Sequence, residues 1–488
     1  MKMLDKNYIS YLETIEKTIA NGKYKPCWES LRDYPIPQWY RDAKFGIFIH
    51  WGVYSVPGFG NEWYPHSMYN KDSREFNHHA ETFGAHKDFG YADFIPMFKA
   101  EKFDAAEWVD LFKKSGAKYI MPVAEHHDGF QMYDSALSEW NSVKMGPMHD
   151  VLGEIKTEAE KKGLVICASS HFAEHVWFFS GCRDFDSGIR DIKYQEPYGY
   201  AIKKDDLETE EHIADFKDHL DMWLVRSCEI VDKYQPKVMW FDWCIQDAPF
   251  KDYIKKFAAY YYNRALEWGA EVAINYKYDA YALSTAVFDV ERGQLADIRP
   301  RFWQTDTAVA KNSWGYTHNN DFKDPVDIVC DIVDIVSKNG CMLLNVGPRP
   351  DGTITEEDTK VLLQIGKWLD VNGESIYNTS YWHVYGEGPT EVKEGAFTDV
   401  GREKFTSEDI RFTYNAPYLY ANVLSFPEDG VVTIKSLSRK KFTAFIKKAE
   451  FLGYDNAVTF EVTDDALVIK TSGEIKSDYP VCIKITID

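Results

Sequence analysis

Val238-Met239-Trp240-Phe241-Asp242-Trp243 sets one carboxylate among five apolar residues. The helical stretch before it ends at Tyr234-Gln235-Pro236, so the segment reads as a buried strand. Side chains alternate across a strand, which puts Val238, Trp240 and Asp242 on one face and Met239, Phe241 and Trp243 on the other. A carboxylate at the exit of such a strand is costly unless it is hydrogen-bonded or has chemistry to perform. In a parallel α/β barrel that exit is where catalytic groups sit. Asp242 is therefore the candidate nucleophile.

Working outward, the same pattern recurs. Lys44 to Ile49 leads to His50, Ala117 to Ala124 leads to Glu125-His126-His127, and Leu164 to Ser170 leads to His171. Val272 to Asn275, Phe302 to Asp306 and Cys341 to Gly347 complete seven strand readings. Pro122 predicts a bulge in the second of them. Helical patterns lie between, at Ala105 to Ser115, Asp150 to Lys162, about Glu210 to Tyr234, Tyr253 to Trp268, Val326 to Lys338 and Glu356 to Val371. Strand-then-helix alternation means parallel strands. An irregular (β/α)8 TIM-type barrel with one weak unit explains them best; a doubly wound sheet would want a Gly-rich phosphate loop after its first strand, and none is there. After about residue 378 short strands alternate with turns, as an antiparallel β-sandwich does. The expected division is 1–35 for an N-terminal helix and connector, 36–376 for the barrel and 377–488 for the sandwich.

Composition narrows the function. A net charge of −21 argues against nucleic acid or an anionic membrane surface as partner. Aromatics at 16% suit sugar rings, although a large core consumes them equally well. The eight cysteines are scattered without a CxxC pair and read as reduced core thiols. The N-terminus shows no apolar signal core and no run is long enough to span a membrane, so a cytoplasmic location is expected, with homo-oligomer formation left open.

The strand exits present His50, Glu125, His126, His127, His171, Asp242, Asn275 and Asn345, and that many polar groups at apolar strand ends mark a site. A metal-dependent hydrolase using His126, His171 and His175 is one alternative; a non-catalytic sugar-binding barrel is another. The first is disfavoured because adjacent His126 and His127 point apart on an extended chain and no HExxH or HxH pattern occurs. No GxSxG elbow supports a serine nucleophile. Paired carboxylates remain: a retaining glycosidase needs an ionised nucleophile and a raised-pKa acid about 5–5.5 Å apart. Asp242 suits the first role. Glu62, Glu125, Glu174 and Glu291 all compete for the second.

The chain resembles the α-L-fucosidases of glycoside hydrolase family twenty-nine. The likeness rests on Trp39-Tyr40-Arg41-Asp42-Ala43-Lys44-Phe45-Gly46-Ile47-Phe48-Ile49-His50-Trp51-Gly52, Glu62-Trp63-Tyr64, Glu125-His126-His127-Asp128-Gly129-Phe130, Trp240-Phe241-Asp242, Ser313-Trp314-Gly315-Tyr316, and Lys338-Asn339-Gly340 followed by Leu343 to Pro348. It covers roughly 36–376 strongly and the β domain loosely. The resemblance implies a metal-free, cofactor-free retaining hydrolysis of terminal α-L-fucose from fucosylated oligosaccharides or glycoconjugates, with Asp242 as nucleophile. By analogy His50, His126 and His127 bind sugar hydroxyls, Glu62 and Trp63 close over the ring, and Trp240 and Trp314 wall its methyl side; His171, at a strand exit, is counted as substrate-binding too. The acid/base is assigned to Glu291, within Phe288-Asp289-Val290-Glu291-Arg292-Gly293, with Glu174 as second choice; Arg292 is taken as a surface charge or the partner of Glu291. Lys277, counted as substrate-binding, stands where many members carry Arg, Gln304 where many have Glu, and the His171 to His175 segment replaces a Tyr-containing one.

Overall fold

The computed structural model describes residues 5–189 and 197–488. Residues 1–4, the start of the stretch read for a signal core, lie outside the described residues. Eight strand positions form the central sheet: Phe45–Ile49, Tyr119–Glu125, Val165–Ile166 continued by Ala168–Ser170, Val238–Phe241, Ala273–Tyr276, Val287–Glu291, Trp303–Ala308 and Gly340–Val346. Neighbours pair in parallel, and the first strand pairs with both the second and the last, so the sheet closes into a barrel. The irregularity expected at Pro122 falls just beyond it, as a register shift between Val123 and Glu125 against the third strand.

The sequence reading missed one strand, Val287–Glu291, the sixth in chain order. Val287 joins Phe48, Tyr119, Met121, Val238, Trp240 and Leu343 in the core inside the barrel. By alternation Asp289 and Glu291 share its inward face, so two of five residues are acids and the apolar signal is weak.

Local chemistry sets the helix ends. Asp104 accepts from Ala106 N and Glu107 N at the start of Ala105–Lys114, and Asp150 accepts from Gly153 N at the start of Val151–Lys162. The ring of helices is incomplete. None lies between Ala273–Tyr276 and Val287–Glu291, or between that strand and Trp303–Ala308.

The C-terminal part holds a five-stranded and a three-stranded antiparallel sheet. Ser380–Glu387 and Ile446–Phe451 were not read from the sequence; both are edge strands of the larger sheet. Inner faces of the two sheets share one apolar core, including Phe412, Leu419, Ile469 and Ile483. The chain is therefore a (β/α)8 barrel followed by a β-sandwich.

Candidate active site

Eleven residues assigned to the site line one cavity of about 310 Å³ at the C-terminal mouth of the barrel, His50, Glu62, Trp63, His126, His127, His171, Trp240, Asp242, Lys277, Glu291 and Trp314, whereas the strand-exit candidates Glu125, Asn275 and Asn345 do not. Asn61, Trp243, Asp306 and Phe397 line it as well and were not anticipated. Trp243 had been placed on the outward face. The strand ends at Phe241, so strict alternation no longer applies beyond it.

Asp242 is held on both oxygens. Its Oδ2 lies 3.0 Å from His171 Nδ1 and 3.5 Å from His127 Nε2. Its Oδ1 accepts from Trp243 N at 2.8 Å and lies 3.3 Å from Lys277 Nζ. Burial alone would raise this carboxyl, but the Lys277 ammonium and then His171 hold it well below the usual carboxylate range.

Glu291 is perturbed in the opposite sense. Burial pushes its carboxyl up, Lys277 pulls it down, and the Asp242 charge raises it again; the net shift is upward. Lys277 Nζ is 2.7 Å from Glu291 Oε2 and 3.6 Å from Asp306 Oδ2, and it sits 4.7 Å from the centre of the Trp240 ring. Burial would lower the ammonium, yet Asp306, Glu291 and Asp242 keep it well above the ordinary lysine value. Below it, burial and then the charge of Asp289 raise the Asp306 carboxyl well above the usual carboxylate range, and burial raises Asp289 as well. Asp289 also accepts from Trp240 Nε1 at 3.2 Å and Gln304 Nε2 at 2.8 Å. Gln304 in turn accepts from Tyr40 and Tyr119 hydroxyls at 2.6 and 3.0 Å. Gln304 thus belongs to a hydrogen-bonded stack beneath the charged groups.

The histidines are built in from several elements. His50 Nδ1 donates to Asn345 Oδ1 at 2.7 Å, and its ring stacks on Trp314, which also packs against Arg292. His126 and His127 follow the second strand in a turn closed by Gly129 N to His126 O, and both rings enter the cavity. The expectation that they point apart is corrected here, because it assumed an extended chain. Burial lowers His50 and His126 well below the ordinary imidazole value and takes His127 to about 3. At neutral pH these rings are uncharged, each with one donor and one acceptor nitrogen. Among the described residues, His126 Nδ1 is buried without a hydrogen-bond partner.

Other readings are adjusted. Glu125 is a structural ion pair, with its Oε2 2.8 Å from Arg226 Nε and its Oε1 accepting from Ser170 Oγ. Glu174 is fully buried behind His127, 3.1 Å from its Nδ1, accepts from Cys244 Sγ and does not line the cavity. Arg292 is neither a surface charge nor the partner of Glu291. It is buried and paired with Asp399 at 3.2 Å. Glu62 accepts from Trp314 N at 2.9 Å and Ser313 Oγ at 3.2 Å, which anchors the Trp314 loop.

Donor atoms of His50, His126 and His171, and of His127, His171 and Asp242, come within 4.8 Å of one another. The second group has the Lys277 ammonium against it, which repels a cation. His175, part of the metal alternative, turns away and donates to the His127 carbonyl at 2.9 Å. Of the set proposed for a metal, His126 and His171 stay together and His175 does not join them.

The family model for α-L-fucosidase matches residues 11–374, and that for the α-L-fucosidase C-terminal domain matches 403–486. The tissue α-L-fucosidase of Rattus norvegicus is 31% identical over 440 residues, covering 86% of this chain and 82% of the rat protein. The human tissue enzyme is 28% identical over 450 residues, covering 88% and 84%. An α-fucosidase crystal structure from Thermotoga maritima superimposes with a TM-score of 0.74 at 30% identity, over 95% of this chain and all of that one (100%). A Thermotoga maritima α-fucosidase in complex with fucose aligns at 0.73 with 29% identity, over the same shares, 95% and 100%.

Proposed function

This chain belongs to the α-L-fucosidase family of glycoside hydrolases, and from that premise we propose that it is a retaining exo-enzyme with Asp242 as nucleophile and Glu291 as acid/base. The observation that carries the reading is Lys277, whose ammonium stands 3.3 Å from Asp242 and 2.7 Å from Glu291. The contacted oxygens lie no farther apart than those two legs laid end to end. That is short of the roughly 6.5–9.5 Å that an inverting pair leaves for a water molecule.

The chemistry follows from the opposed pKa shifts. Asp242, ionised, attacks the anomeric carbon while Glu291, protonated, gives its proton to the departing glycosidic oxygen. Bond formation to Asp242 Oδ and loss of the aglycone leave a fucosyl ester. Glu291, now a carboxylate, takes a proton from water, whose oxygen attacks the same carbon and frees Asp242. The neutral histidines hydrogen-bond the ring hydroxyls, and Trp240 and Trp314 give the C6 methyl an apolar wall. A neutral monosaccharide fits the volume and the polarity of this cavity.

The test is hydrolysis of an aryl α-L-fucoside. Asp242→Gly should cost about 10³-fold or more in kcat, as loss of a nucleophile does. Activity within about tenfold of wild type sinks the assignment. Glu291→Ala should lose most on poor leaving groups and regain rate with azide; the same signature in Glu174→Ala instead would move the acid. Activity that survives a chelator, with no metal by elemental analysis, removes the metal-dependent reading. Fucose binding without turnover on any fucoside would favour a binding protein.

A further inference from the structure

A second cavity, of about 250 Å³, lies where the barrel lacks its covering helices. It is formed against the outer face of the sixth strand by the connections on either side of it. Phe288 and Tyr276 wall it together with Arg32, Arg41, Arg299 and Arg301, and no acidic residue lines it. Among the described residues none of the four arginines is ion-paired to a carboxylate. The chain carries 77 acidic residues against 56 basic ones, so four uncompensated guanidiniums around one cavity run against its overall charge.

Their present contacts are neutral. Arg299 lies 4.4 Å from the centre of the Phe288 ring and reaches the Tyr276 hydroxyl. Arg301 Nε donates to Ser284 Oγ at 3.0 Å, and Arg41 lies 6.0 Å from the Phe302 ring centre. Arg299 Nη1 is buried with no hydrogen-bond partner. A buried donor left unpaired is costly, and so is a guanidinium next to another of the same sign. An anion placed in the cavity relieves the repulsion, as between Arg299 and Arg301.

We propose that this cavity is a binding site for a small phosphoryl-bearing ligand. Guanidinium forks match phosphoryl oxygens two at a time, and several of them call for more than the single charge of one carboxylate. The aromatic and proline walls leave room for an organic group attached to the phosphate, and the volume restricts it to a small one. The site is separate from the cavity holding Asp242: no residue lines both. It touches the chain that bears that chemistry, since Tyr276 precedes Lys277 and Phe288 shares a strand with Glu291.

The experiment is thermal unfolding of the full chain at constant ionic strength, titrated with inorganic phosphate, with a hexose monophosphate, and with chloride and citrate as controls. Ligand binding to the native state raises Tm in a saturable way. Phosphate and the phosphate ester should do so at millimolar concentration or below, and the apparent affinity should fall about tenfold or more in Arg299→Ala/Arg301→Ala as charge-assisted bonds are lost. If the double variant fails to fold, Arg301→Ala alone, at an exposed side chain, is compared by titration calorimetry with inorganic phosphate. No saturable rise with phosphate, an equal rise in the variant, or a rise with citrate but not phosphate each overturns the proposal.

Discussion

Lys277 lowers both proposed catalytic carboxylates against the effect of burial, and its removal should show in the pH profile. Asp242 is held below the usual range, so its ionised form persists into acid, and the acid limb of kcat/KM should fall only at low pH. Glu291 is raised, and activity should be lost as pH rises through its pKa and the acid deprotonates. In Lys277→Met the charge that lowers both groups is gone, so both limbs should move to higher pH. Limbs that stay in place would mean Lys277 does not govern either group. Glu174 makes a stability prediction. Burial, and then the Asp242 charge, raises its carboxyl to about 8 from the ordinary 4.5. A raised carboxyl binds its proton more tightly in the folded state, so stability is full below about 4.5 and declines as pH rises to about 8. Glu174→Gln should therefore gain in Tm relative to wild type between pH 5 and 8. An unchanged difference across that range would contradict the burial effect.

At the scale of elements, the sixth strand and the segment that returns to it from the C-terminal part form one unit. Phe397 N donates to the Glu291 carbonyl at 2.9 Å, and Thr398 N and Asp399 N donate to that of Arg292 at 2.8 and 3.0 Å. Phe397 itself is 61% exposed and lines the cavity mouth, where a leaving group would emerge. The close approach depends on Gly293, since a Cβ there would stand 1.8 Å from the Gly395 carbonyl oxygen. Gly293→Ala must push this segment off the strand. The expected result is a raised KM and lower kcat/KM for substrates with bulky aglycones, while fluoride as a leaving group is affected least. Equal losses for all leaving groups would show that the segment only supports the strand.

For the whole molecule, a buried charge cluster joins barrel to sandwich. Asp334, on the helix Pro325–Ser337, lies 2.6 Å from Lys338 Nζ and 2.5 Å from Arg411 Nε, and Arg411 belongs to the sandwich strand Ile410–Asn415. Trp368 Nε1 adds a hydrogen bond to the Pro480 carbonyl. Asp334→Asn would leave two cations buried without a counter-charge, which costs about 3–5 kcal/mol. Denaturant unfolding should register that loss, while activity per folded molecule stays near wild type because the cluster is outside the cavity. A loss under about 1 kcal/mol would mean the pair is solvated and worth no more than a surface ion pair.

The barrel, the sandwich and part of the cavity lining were legible in the chain, because buried parallel strands are apolar runs and a polar residue at the end of one stands out; Glu62, Trp63 and Trp314 came from the resemblance. Asp242, His50 and His171 were visible for that reason. Glu291 was chosen by resemblance, since its strand carries two inward acids and has no run to read. Trp243 and His127 depended on where strands stop and turns begin, which alternation does not encode. Asp306 gained its meaning from Lys277 and Asp289, and Phe397 from a segment more than a hundred residues beyond Glu291 in the chain. The arginine cavity likewise exists because the segments flanking the sixth strand meet the N-terminal connector around Arg32 to Ile36, far away in the chain. Periodicity reports which face of an element is buried, but closure of the barrel decides which charges end up within a few ångströms of one another.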